Sequence, residues 1–392
     1  MSGRLVRLVC VAATAATTVL APAPATAAPE PGPAQDPASA QDAASVAGLL
    51  TDFQQLYRKA EEATEAYNAT EEKLKKQRAE TDRLDRALAR TRLSLHDSRG
   101  AAGRLARQQY QSSTDISPYV RLLLARDPQH AIDQGRVIGR LARERAETVG
   151  RLTGSERKAH ELARKAREAL DRQLALTERR KKERDEVRER LHDVEDLLSS
   201  LSRDQLTAVA AFEKNGIEKA QEKFMASGAL SDGGSVRRPT AGGGRAVRYA
   251  VRQLGKPYEW GAEGPTSYDC SGLTSQAWED AGTPIPRTSQ EQWKRLKRVP
   301  LTDLRPGDLV VYFPEATHVA MYLGDGMVVQ APRPGAKVKV SPIAANPVLG
   351  AVRPDPDGKP LRRYEPPELP EWATDGSDEG YNGYDGYEGE AD

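Results

Sequence analysis

From Leu49 onward, positions spaced alternately three and four residues apart carry Leu49, Phe53, Leu56, Ala60, Ala63, Tyr67, Thr70, Leu74, Gln77, Thr81, Leu84, Leu88, Thr91 and Leu95. Most remaining positions are charged or Ala, and no proline interrupts Gln41–Ile116. A mostly apolar stripe sustained in this register predicts a long helix that buries its seam against a partner helix. The partner follows. Leu141, Leu152, Ala159, Leu162, Ala166, Ala169, Leu176, Val187, Val194 and Leu201 share a second three-four register, loosened by Gln173, Arg180 and Glu183. Ser117-Pro118 and Asp127-Pro128 break the chain between the arms. The economical reading is an all-α antiparallel coiled-coil hairpin over 41–226, each arm about 60 residues and roughly 90 Å long. A homodimeric coil fits the same pattern. Tyr119, Val120, Leu122 and Leu123 form an apolar elbow that packs back on the tip or docks a partner.

The ends read differently. Arg4 and Arg7, the apolar run Leu8–Leu20 and the small residues Ala25-Thr26-Ala27 predict a cleavable signal peptide over 1–27, hence a secreted or cell-wall protein. A Pro/Ala-rich leader over 28–40 follows. Residues 227–244, with Asp232-Gly233-Gly234 and Gly242-Gly243-Gly244, read as a Gly/Ser linker. Residues 355–392 read as a disordered acidic tail; from Glu365 on there are ten acidic residues and no Lys or Arg. Between linker and tail, residues 245–354 hold nine of the chain's 21 aromatics, the density of a folded domain.

Composition then narrows the chemistry. The 58 basic and 57 acidic residues nearly cancel, which argues against a nucleic-acid partner. Two cysteines exclude a disulfide scaffold and any Cys-rich zinc module. Cys10 leaves with the signal, so Cys270 stands alone in the exported chain. Asp269 is a plausible N-cap, which places Cys270 in the first turn of a short helix, where backbone N–H groups and the helix dipole favour a thiolate. His96, His130, His160 and His192 belong to the coil; only His318 lies in the aromatic domain. It opens the strand pattern His318–Leu323, and Gly324-Asp325-Gly326 turns into Met327–Gln330. Even pairing around a turn near Asp325 is expected to set Gln330 across the hairpin from His318 on one face, an amide able to fix the imidazole tautomer. Cys270, His318 and Gln330 are therefore the candidate catalytic residues. One Cys and one His do not complete a zinc site, and no metal or cofactor is expected.

The ordered segments Gly255-Lys-Pro-Tyr258-Glu-Trp-Gly261, Tyr268-Asp-Cys-Ser-Gly-Leu273, Pro286-Arg-Thr-Ser289 with Gln292, Arg305-Pro-Gly-Asp-Leu309 and His318-Val-Ala-Met-Tyr-Leu-Gly324 resemble the NlpC/P60 cell-wall peptidases. The resemblance covers about 245–352. It implies an α+β papain-like domain at the C-terminus, behind the helical hairpin, and thiol hydrolysis of peptidoglycan stem peptides, commonly at the D-γ-glutamyl bond to the diamino acid. It implies Cys270 as nucleophile and His318 as base, with Gln330 where the family often has His. Asp269 and Ser271 look like the pair that recognises the free amine of the stem peptide, and Tyr258 like the tyrosine beside the nucleophile. Arg287 and Ser289 read as loop structure. An amidase or acyltransferase on the same fold, or a non-catalytic wall-binding adaptor, are the rival readings. The coil is expected either to mask the Cys270 cleft or to dock to a membrane division complex.

Overall fold

The computed structural model describes residues 37–112, 120, 123, 128–230 and 237–373. The expected signal peptide, most of the leader and the acidic tail from Thr374 on lie outside the described residues. So do Tyr119 and Leu122 of the elbow; Val120 and Leu123 are exposed.

Helix α1 spans Pro37–Ser112 and α2 spans Pro128–Ser200. Their seams meet antiparallel within one chain. Leu50 and Phe53 pack with Val194 and Leu198, Leu84 and Leu88 with Ala166 and Ala169, and Arg99 pairs with Glu156 farther along. The polar interruptions are used across the seam: Arg180 Nη1 lies 3.0 Å from Glu71 Oε2, and Gln77 Nε2 donates to the Ala169 carbonyl at 3.1 Å.

The second arm is not continuous to residue 226. It stops at Ser200, and a capping box of Ser202 and Gln205 starts α3, Arg203–Ala226. At one end Val209 of α3 joins the Phe53–Val194 cluster. At the other, Phe224 packs on the aromatic-domain sheet, and Gln221 bridges the Gly326 carbonyl (3.0 Å) and the Ala344 N–H (3.1 Å). These contacts join hairpin and aromatic domain.

That domain is a six-stranded antiparallel sheet: β1 Lys297–Val299, β2 Leu309–Tyr312, β3 His318–Gly324, β4 Met327–Gln330, β5 Lys339–Pro342 and β6 Val348–Arg353. The strand order is β1-β6-β2-β3-β4-β5. Helices α4 (Ala241–Val251) and α5 (Cys270–Asp280) cover one face. Ala246, Ala250, Leu273, Ala277 and Trp278 pack there on Val319, Met321 and Val329, a papain-like α+β layering. A short α6, Ser289–Arg295, follows.

Two expected boundaries differ. Gly242-Gly243-Gly244 are the first turn of α4, capped by Thr240, rather than linker. A Cβ on Gly243 would lie 2.9 Å from the Pro306 carbonyl oxygen, so close packing of the helix on a loop explains this glycine. At the other end, residues 355–373 are not free tail. The Leu361 N–H bonds the Pro239 carbonyl at 2.8 Å, and Ala373 is fully buried.

Candidate active site

Cys270 is the first residue of α5 and is buried. Asp269 caps the helix: its Oδ1 accepts from the Gly272 N–H at 2.6 Å. Gly272 lets this turn touch the neighbouring loop, since a Cβ there would sit 2.1 Å from the Ala262 carbonyl oxygen. Gly272→Ala should therefore lower Tm by about 5 °C or more, through the roughly 1–3 kcal/mol of an overpacked contact, and displace Cys270; calorimetry and thiol labelling would show both.

His318 opens β3, fully buried. The hairpin pairs Met321 with Val329 and Tyr322 with Val328, with an irregularity at the turn. Continued evenly, this register puts Gln330 opposite Ala320. His318 and Gln330 are thus diagonal neighbours on one face rather than directly opposed, within reach of long side chains. His318 Nε2 is 2.7 Å from Gln330 Oε1, while Gln330 Nε2 donates to Ser341 Oγ at 2.8 Å. That second bond sets the amide so that its oxygen faces the ring. Nε2 then carries the hydrogen, and Nδ1 is the basic nitrogen. The Val319 N–H lies against the Cys270 sulfur, which brings Cys270 and the His318 strand together.

Arg287, read from sequence as loop structure, is inside the site. Its Nη1 donates to Asp269 Oδ1 (3.0 Å) and Ser271 Oγ (2.8 Å), its Nη2 to Asp269 Oδ2 (2.6 Å), and its Nε lies 3.1 Å from Glu263. The residues flanking Cys270 are thereby fixed by one guanidinium. Tyr258 is buried beside Cys270, and its burial and the neighbouring negative groups hold the phenol protonated.

Helix α1 crosses this cleft. Arg58, Glu61, Glu65, Asn68, Glu72 and Lys75 lie on one face of α1, opposite the seam of Ala60, Ala63, Tyr67, Thr70 and Leu74. Glu65 is buried: its Oε1 accepts from Ser271 Oγ at 2.6 Å and lies 3.8 Å from Cys270 Sγ, and its Oε2 accepts from the Ser289 N–H at 2.9 Å. Glu61 Oε1 is 3.0 Å from His318 Nδ1, off the N–H direction, so the contact is an ion pair rather than an aligned hydrogen bond. Asn68 Nδ2 donates to Asp269 Oδ2 at 3.0 Å. At the rim Arg58 pairs with Glu315, Lys75 with Glu263 at 3.2 Å, and Tyr67 meets Trp260 edge-on at 5.1 Å. Nothing in the periodicity singled out this stripe, because a Glu-rich helix face ordinarily meets water.

The electrostatics follow. Burial, then Asp269, push the Glu65 carboxyl up to about 7 against the pull of Arg287, Ser271 and Ser289. Burial would lower His318, but Glu61, Gln330 and Glu65 together outweigh it and the net shift is upward. Burial and the carboxylates of Glu65, Asp269 and Glu61 raise the Cys270 thiol well above its ordinary value. The helix N-terminus was expected to favour a thiolate; with α1 seated, its neighbours overrule it. Glu65, Asp269 and Cys270 bring ligand atoms within 4.8 Å of one another. Both Asp269 oxygens are already bonded by Arg287, Gly272 and Asn68, so the trio is not an open metal-ligand set.

A family model described as NlpC/P60 family matches residues 255–350. The chain is 48% identical over 94 residues to "Probable endopeptidase Cgl2188" of Corynebacterium glutamicum, covering 24% of this chain and 45% of that protein. It is 37% identical over 128 residues to "Peptidoglycan endopeptidase RipB" of Mycobacterium tuberculosis, covering 28% and 53%. The matches thus span about half the length of these relatives. Among solved structures, the NlpC/p60 domain of the peptidoglycan hydrolase SagA is 31% identical (28% of this chain, 97% of that one, TM-score 0.27). RipD of Mycobacterium tuberculosis, described as a non-catalytic NlpC/p60 domain protein adapted to peptidoglycan binding, is 31% identical (29% and 96%, TM-score 0.27).

Proposed function

Because the C-terminal domain of this chain belongs to the NlpC/P60 family, we propose that the protein is a secreted peptidoglycan endopeptidase that is latent as folded. Its substrate is the stem peptide, cut at the D-γ-glutamyl bond to the diamino acid. The supporting observation is the buried pair of Cys270 at a helix N-terminus and His318 held by Gln330 at 2.7 Å. The names of the two endopeptidase relatives and of SagA point the same way, toward hydrolysis, whereas that of RipD points to wall binding.

In the open cleft, Cys270 gives its proton to His318 Nδ1, and the thiolate sulfur bonds the scissile carbonyl carbon. The α5 N-terminus and the protonated Tyr258 phenol stabilise the oxyanion. His318 returns its proton to the leaving amine as the C–N bond breaks, leaving a thioester. His318 then takes a proton from water, whose oxygen displaces the sulfur and frees the acid. Asp269 and Ser271, positioned by Arg287, receive the amine end of the stem peptide.

Gln330 acts on the tautomer, not on substrate. Gln330→Ala should lower kcat about 10²-fold with KM little changed, a size expected for impaired acid–base catalysis. Equal KM and kcat losses would place the residue in substrate binding instead.

The hairpin supplies the latency. Glu61 meets the base, Glu65 lies against the nucleophile and Asn68 takes Asp269, so the seated α1 leaves no room for a peptide at these groups. Of the two roles expected for the coil, these contacts favour masking. The test is muropeptide cleavage by the full chain with and without this stripe.

A further inference from the structure

Counting charges at the closed cleft leaves one carboxylate over. Asp269 and Glu263 share Arg287, and Glu263 also meets Lys75. Glu61 pairs with His318 when the ring is protonated. Glu65 faces Glu61 on its own helix, Asp269 and Cys270 on α5, Tyr258 and Arg287 from the loops, and His318 on β3. It receives two hydrogen bonds but no cation of its own, because Arg287 reaches Asp269 and Glu263 first. A fully buried fourth carboxylate beside Asp269 is tolerated when it is neutral.

We propose that α1 is a proton-operated latch: it seats with Glu65 protonated and lifts when Glu65 ionises, closing the cleft in mild acid and opening it in mild alkali. The inference rests on the masking role proposed above. In the open state Glu65 returns to water and to an ordinary carboxyl, so the closed state binds the extra proton. Closure is therefore fully favoured below the ordinary carboxyl value of 4.5 and is lost progressively as pH rises to about 7. His318, Cys270 and Tyr258 are all raised as well and act in the same direction. Glu263 is lowered and acts in the opposite sense, only in stronger acid.

The test is the iodoacetamide labelling rate of Cys270 in the full chain, for wild type, Glu65→Gln and Glu65→Ala, from pH 5.5 to 8.5. Gln cannot ionise, and thiol chemistry and the other titrating groups cancel in the ratio of wild type to the Gln variant. That ratio should rise roughly tenfold across the range. A flat ratio, or fast labelling of the Gln variant at pH 5.5, would overturn the latch. The masking role is read separately at pH 5.5: wild type should label slowly and Glu65→Ala fast. Equal, fast labelling of both would mean that α1 does not cover the thiol at all.

Discussion

The full-length Glu61→Ala/Glu65→Ala protein should cleave stem peptides faster than the wild-type chain, by about one to two orders of magnitude. The physical reason is an asymmetry between the states. In the closed cleft, losing Glu65 strips the buried Ser289 N–H of its acceptor and Ser271 Oγ of its shortest partner. An orphaned buried polar group costs about 1–3 kcal/mol, and nothing equivalent is lost when the cleft is open to water. Removing Glu61 also frees His318 Nδ1 to act as base. The outer contacts of α1, Arg58–Glu315 and Lys75–Glu263, are exposed and contribute little on their own. The seam with α2 is untouched, because the stripe lies on the opposite face, so the helical signal in circular dichroism should not change. Initial rates on purified muropeptides measure the gain. No gain with unchanged helicity would remove the latent state from the account.

Cys270→Ala, placed in that released background, should drop turnover by about 10⁴-fold or more. Removing a nucleophile leaves only what binding and oxyanion stabilisation provide, and the other members of the set cannot compensate. KM should stay near its starting value, because Asp269, Ser271 and Arg287 keep their mutual bonds without the sulfur. Residual cleavage at the parent rate would exclude covalent catalysis through this residue.

Sequence alone carried the hairpin and the candidate catalytic set for different reasons. The three-four spacing records burial directly, and the seam residues Phe53, Leu74, Leu84, Val187 and Val194 are buried as that spacing requires. Cys270 and His318 stood out through scarcity and motif, and Gln330 through the period of a hairpin. The two-residue difference in register kept Gln330 on the same face, so the pairing survived it.

Glu61, Glu65 and Asn68 were illegible for a physical reason. Charged residues opposite a coil seam normally face water, and the groups that bury these three lie some two hundred residues further along the chain. Arg287 reads as loop structure in the sequence because its importance depends on where the Asp269 cap points. Gly242–Gly244 misled because glycine serves both flexible linkers and tight helix–loop contacts; composition does not separate the two uses. The break falls where the second register ends, at Leu201, and Ser202 and Gln205 have the spacing of the capping box that makes it.

Mass spectrometry of a defined muropeptide, incubated with the wild-type chain, the Glu61→Ala/Glu65→Ala chain and the latter with Cys270→Ala, tests the central claim most directly. A latent thiol endopeptidase predicts two fragments whose masses sum to substrate plus one water, split between the D-γ-glutamyl and diamino residues. They should form slowly with the first protein, rapidly with the second and not with the third. Intact muropeptide in all three, with Cys270 of the released chain open to alkylation, would contradict it and leave a wall-binding domain.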